Sequence, residues 1–167
     1  MMPQIRKATL NDVEQIAQVH VATWKTTYKR FLSESFLENI TPESRYILWR
    51  KNINDPNKII LVLEKNAEII GFIAGDPVKP GEYEQYDGVL TALYCKEKEQ
   101  GKGYGKQLFH ALLTEFTKLG FRNCMVKVLK ESNSTYFHEK LGAVHIEDQP
   151  LEGFEYLTLS TYAWEKL

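Results

Sequence analysis

The alternation of apolar and polar positions divides the chain into a helical first third and a remainder rich in strands. Ile5 to Thr9 reads as a short strand. Val13, Ile16, Ala17 and Val21 then recur at helical spacing, with Asn11 placed to cap the helix that carries them. Thr41-Pro42 opens a further helix through about Lys51, because a proline at the first helical position removes an N–H that has no partner there. Ile59 to Leu63 is a β-rich apolar run, and the turn near Asn66 leads into a second, Ile69 to Ala74; together they predict an antiparallel hairpin. Val89 to Cys95 is another apolar strand. It is followed by a glycine-rich turn, Gln100 to Lys106, and a helix whose one face carries Leu108, Phe109, Leu112, Leu113 and Phe116, closed by Gly120. Cys124, Val126 and Val128 alternate with Met125, Lys127 and Leu129 in the next strand. Ser132 or Asn133 can cap a helix running to Leu141, and strands near Val144 to Glu147 and Glu155 to Trp164 complete the pattern. The order predicts an α/β fold (mixed α+β). No repeat, low-complexity block or linker divides residues 1–167, so a single domain is expected.

Composition narrows the class. With 167 residues, 43% hydrophobic and 26% charged, the chain has globular values. A chain of this size buries roughly 70% of the surface it exposes when unfolded, so it needs neither disulfides nor a structural metal. Twenty-one basic against 22 acidic residues give a net charge of -1, which removes any global attraction to nucleic acid or an anionic membrane. Any anion site must therefore be local. Cys95 and Cys124 both lie in strand-like runs, which fits a reduced, cytoplasmic compartment. The start carries no leader pattern and the longest purely apolar run is Ile59 to Leu63, so neither secretion nor a membrane span is expected. His20, His110, His138 and His145 show no metal-binding spacing with the cysteines, and no metal is expected.

The turn from Gln100 to Lys106 is the strongest chemical signal. Gly101, Gly103 and Gly105 lie between an apolar strand and a helix, where they can turn tightly and present N–H groups outward. The positive end of the helix dipole, with Lys102 and Lys106, makes the turn a candidate phosphate cradle. It is not a P-loop, because Gln107 follows Gly105-Lys106 and Gln100 stands five positions before Gly105. Nor is it a dinucleotide fingerprint, since Gly-x-Gly-x-x-Gly fails at Lys106 or Leu108.

What the segment resembles is the Gln/Arg-x-x-Gly-x-Gly/Ala signature of the GNAT superfamily of acyl-CoA-dependent N-acyltransferases, matched by Gln100, Gly103 and Gly105. Leu90-Thr91-Ala92-Leu93-Tyr94-Cys95 is similar to the family's central strand. Val128-Leu129-Lys130-Glu131 and Phe137-His138-Glu139-Lys140-Leu141-Gly142-Ala143 are similar to its next strand and helix. The opening Ile5-Arg6-Lys7-Ala8-Thr9 with Asp12 also resembles the usual family start. The resemblance implies a central, mostly antiparallel twisted sheet of about seven strands flanked by helices. It also implies acetyl-CoA as cosubstrate. Backbone amides of Gln100, Gly101, Lys102, Gly103, Tyr104, Gly105 and Lys106 would hold the CoA pyrophosphate, and pantetheine would bond to backbone at Leu93, Tyr94 and Cys95. The family's CoA-contacting asparagine aligns with Ser132, with Asn133 one position later; either could instead simply cap the helix.

Two positions depart from the family pattern. A lysine-like amine, with a pKa near 10.4, must lose a proton before it attacks. The resemblance places a catalytic glutamate for this step where the chain has Val89, leaving Asp87 and Glu84 as the nearest carboxylates able to act through water. The tyrosine that reprotonates the leaving thiolate in many members is replaced by His138. Tyr136 competes for that role, but if Phe137 and Leu141 face the core, the two side chains project to opposite sides of the helix.

The family's acceptor pocket draws on the loop joining the first two helices, where Trp24 and Tyr28 stand four apart, a spacing equally suited to core packing. Asp76, Glu82, Glu84 and Asp87 against Lys79 make the segment from Asp76 to Asp87 acidic, which suits a cationic amine or merely a solvated loop. The expectation is an N-acetyltransferase moving an acetyl group to a primary amine of a small molecule or peptide by direct attack in a ternary complex, with a homodimer as the assembly it could form. The alternative is a CoA-binding regulatory module with little or no activity.

Overall fold

Residues 2–167 are described by a computed structural model, in which seven strands and five helices alternate as the sequence order requires. They are β1 (Gln4–Lys7), α1 (Val13–Thr27), α2 (Glu34–Glu38), α3 (Pro42–Ile53), β2 (Ile59–Lys65), β3 (Glu68–Pro77), β4 (Gly88–Cys95), α4 (Tyr104–Lys118), β5 (Cys124–Leu129), α5 (Ser134–Lys140), β6 (Val144–Leu151) and β7 (Phe154–Trp164). The strands form one sheet in the order β1-β2-β3-β4-β5-β7-β6. β1 with β2, β2 with β3, β5 with β7 and β6 with β7 pair antiparallel, whereas β4 and β5 pair parallel over Gly88–Leu90 and Cys124–Val126. This is the mixed fold with helices flanking a mostly antiparallel sheet. By contacts the chain falls into two compact units, one running to Gly75 and including Ala92–Leu112, the other comprising Asp76–Thr91 and Leu113–Leu167.

In the first unit, Asn11 is not the cap of the first helix. Asn11 falls in a single 3-10 turn, Leu10–Asp12, that precedes α1, and Thr9 and Asp12 close a capping box around it. Asp12 is 4% exposed and accepts from Arg6 Nη1 and Nη2 at 2.8 and 2.9 Å, a bidentate pair that satisfies a buried carboxylate. The cap of α3 is Thr41, as its sequence predicts, with Pro42 at the first position. α2 is five residues long, too short to show a helical period; Ser33 caps it, and Leu37 packs with Val21 and Ile40. Asn66 and Ala67, at φ 53° and 64°, form the two-residue turn between β2 and β3 with Lys65 opposite Glu68. The core joins Val13, Ile16 and Val19 of α1 to Trp49 of α3 and to Ile60, Val62, Ile69, Phe72, Ala74 and Ala92 of the sheet.

In the second unit, Tyr86, Met125 and Ala163 form a buried cluster against which Val78, Tyr83 and Val89 pack. Asn123 ties the approach to β4, accepting from Asp87 N and donating to Gln85 O, both at 2.9 Å. Tyr83 adopts φ 40°, a left-handed backbone uncommon for a tyrosine, and its hydroxyl donates to Glu147 at 2.5 Å while Lys127 Nζ sits 4.7 Å from its ring centre. β6 and β7 both extend beyond the strands read from alternation, because their outer halves pair with each other while β6 is solvent-exposed along most of its length.

Candidate functional site

The turn after β4 is built by a series of short-range locks. Lys96 N donates to Ile70 O at 2.9 Å, and the Gln100 side chain donates to Cys95 O at 3.0 Å, with Thr23 Oγ1 3.5 Å from the same carbonyl. Glu99 is 7% exposed and is paired with Lys102 at 3.0 Å and Lys65 at 3.5 Å, so its carboxylate stays well below the usual range, chiefly through the Lys102 hydrogen bond. These contacts fix where the chain leaves the sheet. Gly101 and Gly103 then take φ of 78° and 85°, and a Cβ at either would meet nothing within 4 Å. The glycines are required by backbone conformation and not by crowding. Tyr104 starts a fifteen-residue helix whose first N–H groups lack intrahelical acceptors, as in any helix. The result is an open turn rich in N–H donors, at the positive end of a helix dipole and flanked by Lys102 and Lys106.

β4 itself is held close to β3. A Cβ on Gly71 would lie 2.9 Å from Cys95 Sγ and 3.0 Å from Tyr94 O, so only glycine allows the backbones this approach. Burial pushes the Cys95 thiol up to about 11 and Cys124 up to about 12, and both are unpaired, buried and protonated at neutral pH.

Trp24 and Tyr28 belong to an aromatic cluster that extends well beyond their i, i+4 pair. Trp24 Nε1 donates to the Tyr94 hydroxyl at 2.9 Å, and its ring lies 4.6 Å from that of Tyr28. His20, a turn earlier on α1, stacks on Tyr94 at 5.1 Å and 18° and accepts from Trp49 Nε1 at 2.9 Å through Nδ1. Phe72 backs Trp49 and Tyr94. The inner members His20, Trp49 and Phe72 are buried, whereas Trp24, Tyr28 and Tyr94 are half-buried. Spacing alone identified Trp24 and Tyr28; the stripe His20, Trp24, Tyr28 at i, i+4, i+8 was the signal that would have added His20.

The other candidates lie in the second unit. α5 is turned so that His138 is 4% exposed and Tyr136 is 63% exposed, with Lys140 over the Tyr136 ring. His138 packs against Phe137 and, edge-on at 5.6 Å, against Trp164, and its Nδ1 has no hydrogen-bond partner among the described residues. Ser132 donates to Leu129 O at 2.7 Å and accepts from Ser134 N, and Asn133 makes no side-chain cap. Asp87 accepts from Arg122 N at 2.8 Å and Nε at 3.2 Å, which holds its carboxyl below the usual range; Glu84 is exposed. Val89 packs on the Tyr86 cluster.

A profile of the Acetyltransferase (GNAT) family matches residues 21–143. The chain belongs to the GNAT acetyltransferase family. It is accordingly an N-acetyltransferase-type enzyme. Among relatives of the same family, it is 26% identical over 151 residues to an uncharacterized N-acetyltransferase, YuaI, of Bacillus subtilis (strain 168), covering 90% of this chain and 86% of that one. It is 28% identical over 103 residues to the L-amino acid N-acyltransferase MnaT of Escherichia coli (strain K12), covering 58% and 56% of the two chains. The structure of the PaiA N-acetyltransferase of Thermoplasma acidophilum in complex with coenzyme A superposes with a TM-score of 0.79 at 22% identity, over 98% of this chain and 100% of that one. Among the described residues, no helix of this GNAT chain is long and apolar enough to cross a membrane.

The two buried histidines should make this GNAT enzyme less stable in acid. Burial pushes both His20 and His138 from 6.5 down to about 4, helped at His20 by the Arg45 charge. The unfolded chain therefore takes up these protons first, so stability is full above about pH 6.5 and falls as the pH drops towards 4, by on the order of 3 kcal/mol for each group. Urea unfolding across this range should show the decline, and it should flatten in a His20→Phe, His138→Phe double variant. An equally steep decline in that variant would place its origin elsewhere.

Proposed function

We propose that the chain moves an acetyl group from acetyl-CoA to a primary amine of a small molecule or peptide by direct attack within a ternary complex in the cytoplasm. The observation that carries this reading is the turn at Gly101 to Gly105, where two left-handed glycines lead into a helix start whose first N–H groups have no intrahelical acceptor. That donor set fits a pyrophosphate. The relative solved with coenzyme A supports the same cosubstrate.

Acetyl-CoA, when bound, supplies an activated thioester. The chain's residues do the rest. Backbone N–H groups from Gly101 to Lys106 hold the pyrophosphate, Gln100 N being already bonded to Glu97 O at 3.2 Å, and Lys102 and Lys106 add positive charge, the former shared with Glu99. Backbone at Leu93, Tyr94 and Cys95 orients the pantetheine, and an N–H at Tyr94 or Cys95 polarises the carbonyl. The Cys95 carbonyl is already occupied by Gln100 and Thr23, so its N–H is the group this residue contributes. The resemblance assigns Ser132 or Asn133 to the pantetheine arm, and Ser132 Oγ already donates to Leu129 O at 2.7 Å.

The family resemblance assigns His138 to the leaving sulfur. Because burial keeps the imidazole neutral, it acts as a hydrogen-bond donor to the developing thiolate and not as an imidazolium acid; the proton that ends on sulfur is the one the amine loses on acylation. Asp87 is a weak base while Arg122 holds it, so Glu84 is the carboxylate freer to draw the amine's first proton through water. Trp24 and Tyr28 contact the acceptor.

Calorimetric titration with acetyl-CoA, followed by a thiol-release assay on an amine and peptide panel, tests the reading. Micromolar binding with turnover is expected, and His138→Ala should lower kcat about 100-fold at nearly unchanged acetyl-CoA affinity. Binding without turnover on any amine would instead leave a cofactor-binding module, and absence of binding would overturn both.

A further inference from the structure

The aromatic cluster on α1, α3, β3 and β4 feels one formal charge, and it is positive. Arg45 is half-buried on α3 and stands one helical turn before Trp49, so the two share the helix face that meets His20. Its charge is felt at His20 and at the Tyr94 hydroxyl. The arginines elsewhere show the contrast: Arg6 is clasped by Asp12 and Glu64, and Arg122 by Asp87. Arg45 Nε donates to Ser44 Oγ at 3.2 Å, and among the described residues no carboxylate pairs with its guanidinium.

No group in the cluster compensates this charge. Trp24, Tyr28, Trp49 and Phe72 are uncharged. His20 accepts an indole N–H at Nδ1, which fixes it as the neutral tautomer with its proton on Nε2. The Tyr94 phenol is held protonated by burial. A half-buried guanidinium one helical turn from the Trp49 that bonds His20, with both terminal nitrogens free of a counter-charge, suits an anion able to accept two parallel N–H bonds. It disfavours a second ammonium at the same place.

We propose that Arg45 binds a carboxylate of the acceptor, and that the enzyme therefore acetylates amino acids in preference to diamines and simple alkylamines. The proposal rests on the N-acetyltransferase reading and deepens it. The carboxylate docks on Arg45 beside the Tyr28, Trp24 and Tyr94 rings, which cover the apolar part of the acceptor. Tyr94 belongs to the β4 segment whose backbone orients the thioester, so an acceptor anchored at Arg45 lies alongside that strand. Arg45 is thus a specificity residue, acting on which amine is held and not on the acetyl transfer itself.

The test uses matched acceptors in the thiol-release assay with saturating acetyl-CoA: apolar L-amino acids such as L-phenylalanine and L-methionine, their amides, 2-phenylethylamine and 1,4-diaminobutane. The wild-type enzyme should prefer the acids over their amides by about 10- to 100-fold in kcat/KM, the span of hydrogen bonds to a charged group. Arg45→Met should erase that preference through KM, leave turnover of the amides unchanged and bind acetyl-CoA normally; Arg45→Lys should restore part of it. Equal use of amides or diamines by the wild type, or an unchanged preference in Arg45→Met, overturns the role of Arg45 while leaving an N-acetyltransferase. Should no acceptor of any class be turned over, the acetyltransferase reading itself fails, and this proposal with it.

Discussion

Gly103→Val should weaken acetyl-CoA binding by at least about 100-fold, since losing two charge-assisted N–H bonds to phosphate removes about 3 kcal/mol or more. Gly103 adopts φ 85°, where a β-branched side chain is strained by about 1 to 3 kcal/mol, so the turn would relax and swing its N–H groups out of alignment. A Cβ there meets nothing within 4 Å, so the defect stays in the backbone and the fold survives. Calorimetry should therefore show lost binding while the melting temperature falls by only a few degrees. Wild-type affinity in this variant would mean that the turn does not hold the cosubstrate.

Gly71→Val acts by the opposite route, through crowding. Its Cβ would lie 2.9 Å from Cys95 Sγ and 3.0 Å from the Tyr94 carbonyl, and the latter is backbone that cannot rotate away. Overpacking of this kind destabilises by about 1 to 3 kcal/mol, and the upper end is expected here because Cys95 is tied at its carbonyl by Gln100 and at the next residue by the Lys96 N to Ile70 O bond. Any shift also moves Tyr94 away from Trp24 Nε1, so kcat/KM should fall together with stability. Urea unfolding and the thiol-release assay measure the two effects. Adding Cys95→Ala should recover part of the loss, because it removes the sulfur but not the carbonyl. A Gly71→Val protein as stable as wild type would show that β3 and β4 can separate at no penalty.

Much of this architecture was legible from residue patterns, and the failures have physical reasons. The face Leu108, Phe109, Leu112 and Phe116 is buried to within 1% because α4 is long enough for its period to show. The five residues of α2 have no period to show, and they are helical because Ser33 caps them and Leu37 finds a pocket. Asn11 was a sound cap by residue type, but the buried Arg6–Asp12 pair moves the start of helical structure back to Thr9. At the site, the glycine turn could be read because its residues are there for backbone reasons that act locally. Trp49 and Arg45 could not, since their significance lies in a tertiary contact, the Trp49 indole bonded to the His20 imidazole of another helix, that neither segment announces alone. The neutrality of His138 likewise depends on burial against Trp164, which joins α5 to the far end of β7.

The placement of the three tryptophans gives each unit an optical reporter. Trp24 and Trp49 sit with His20 in the first unit, and Trp164 sits edge-on to His138 in the second. A protonated imidazole quenches a neighbouring indole, so the emission of each group registers the charge state of the histidine beside it. Single-tryptophan versions of the chain would then separate the two titrations, and an acceptor bound over the Trp24 ring would register in the first signal while leaving the second dark to it.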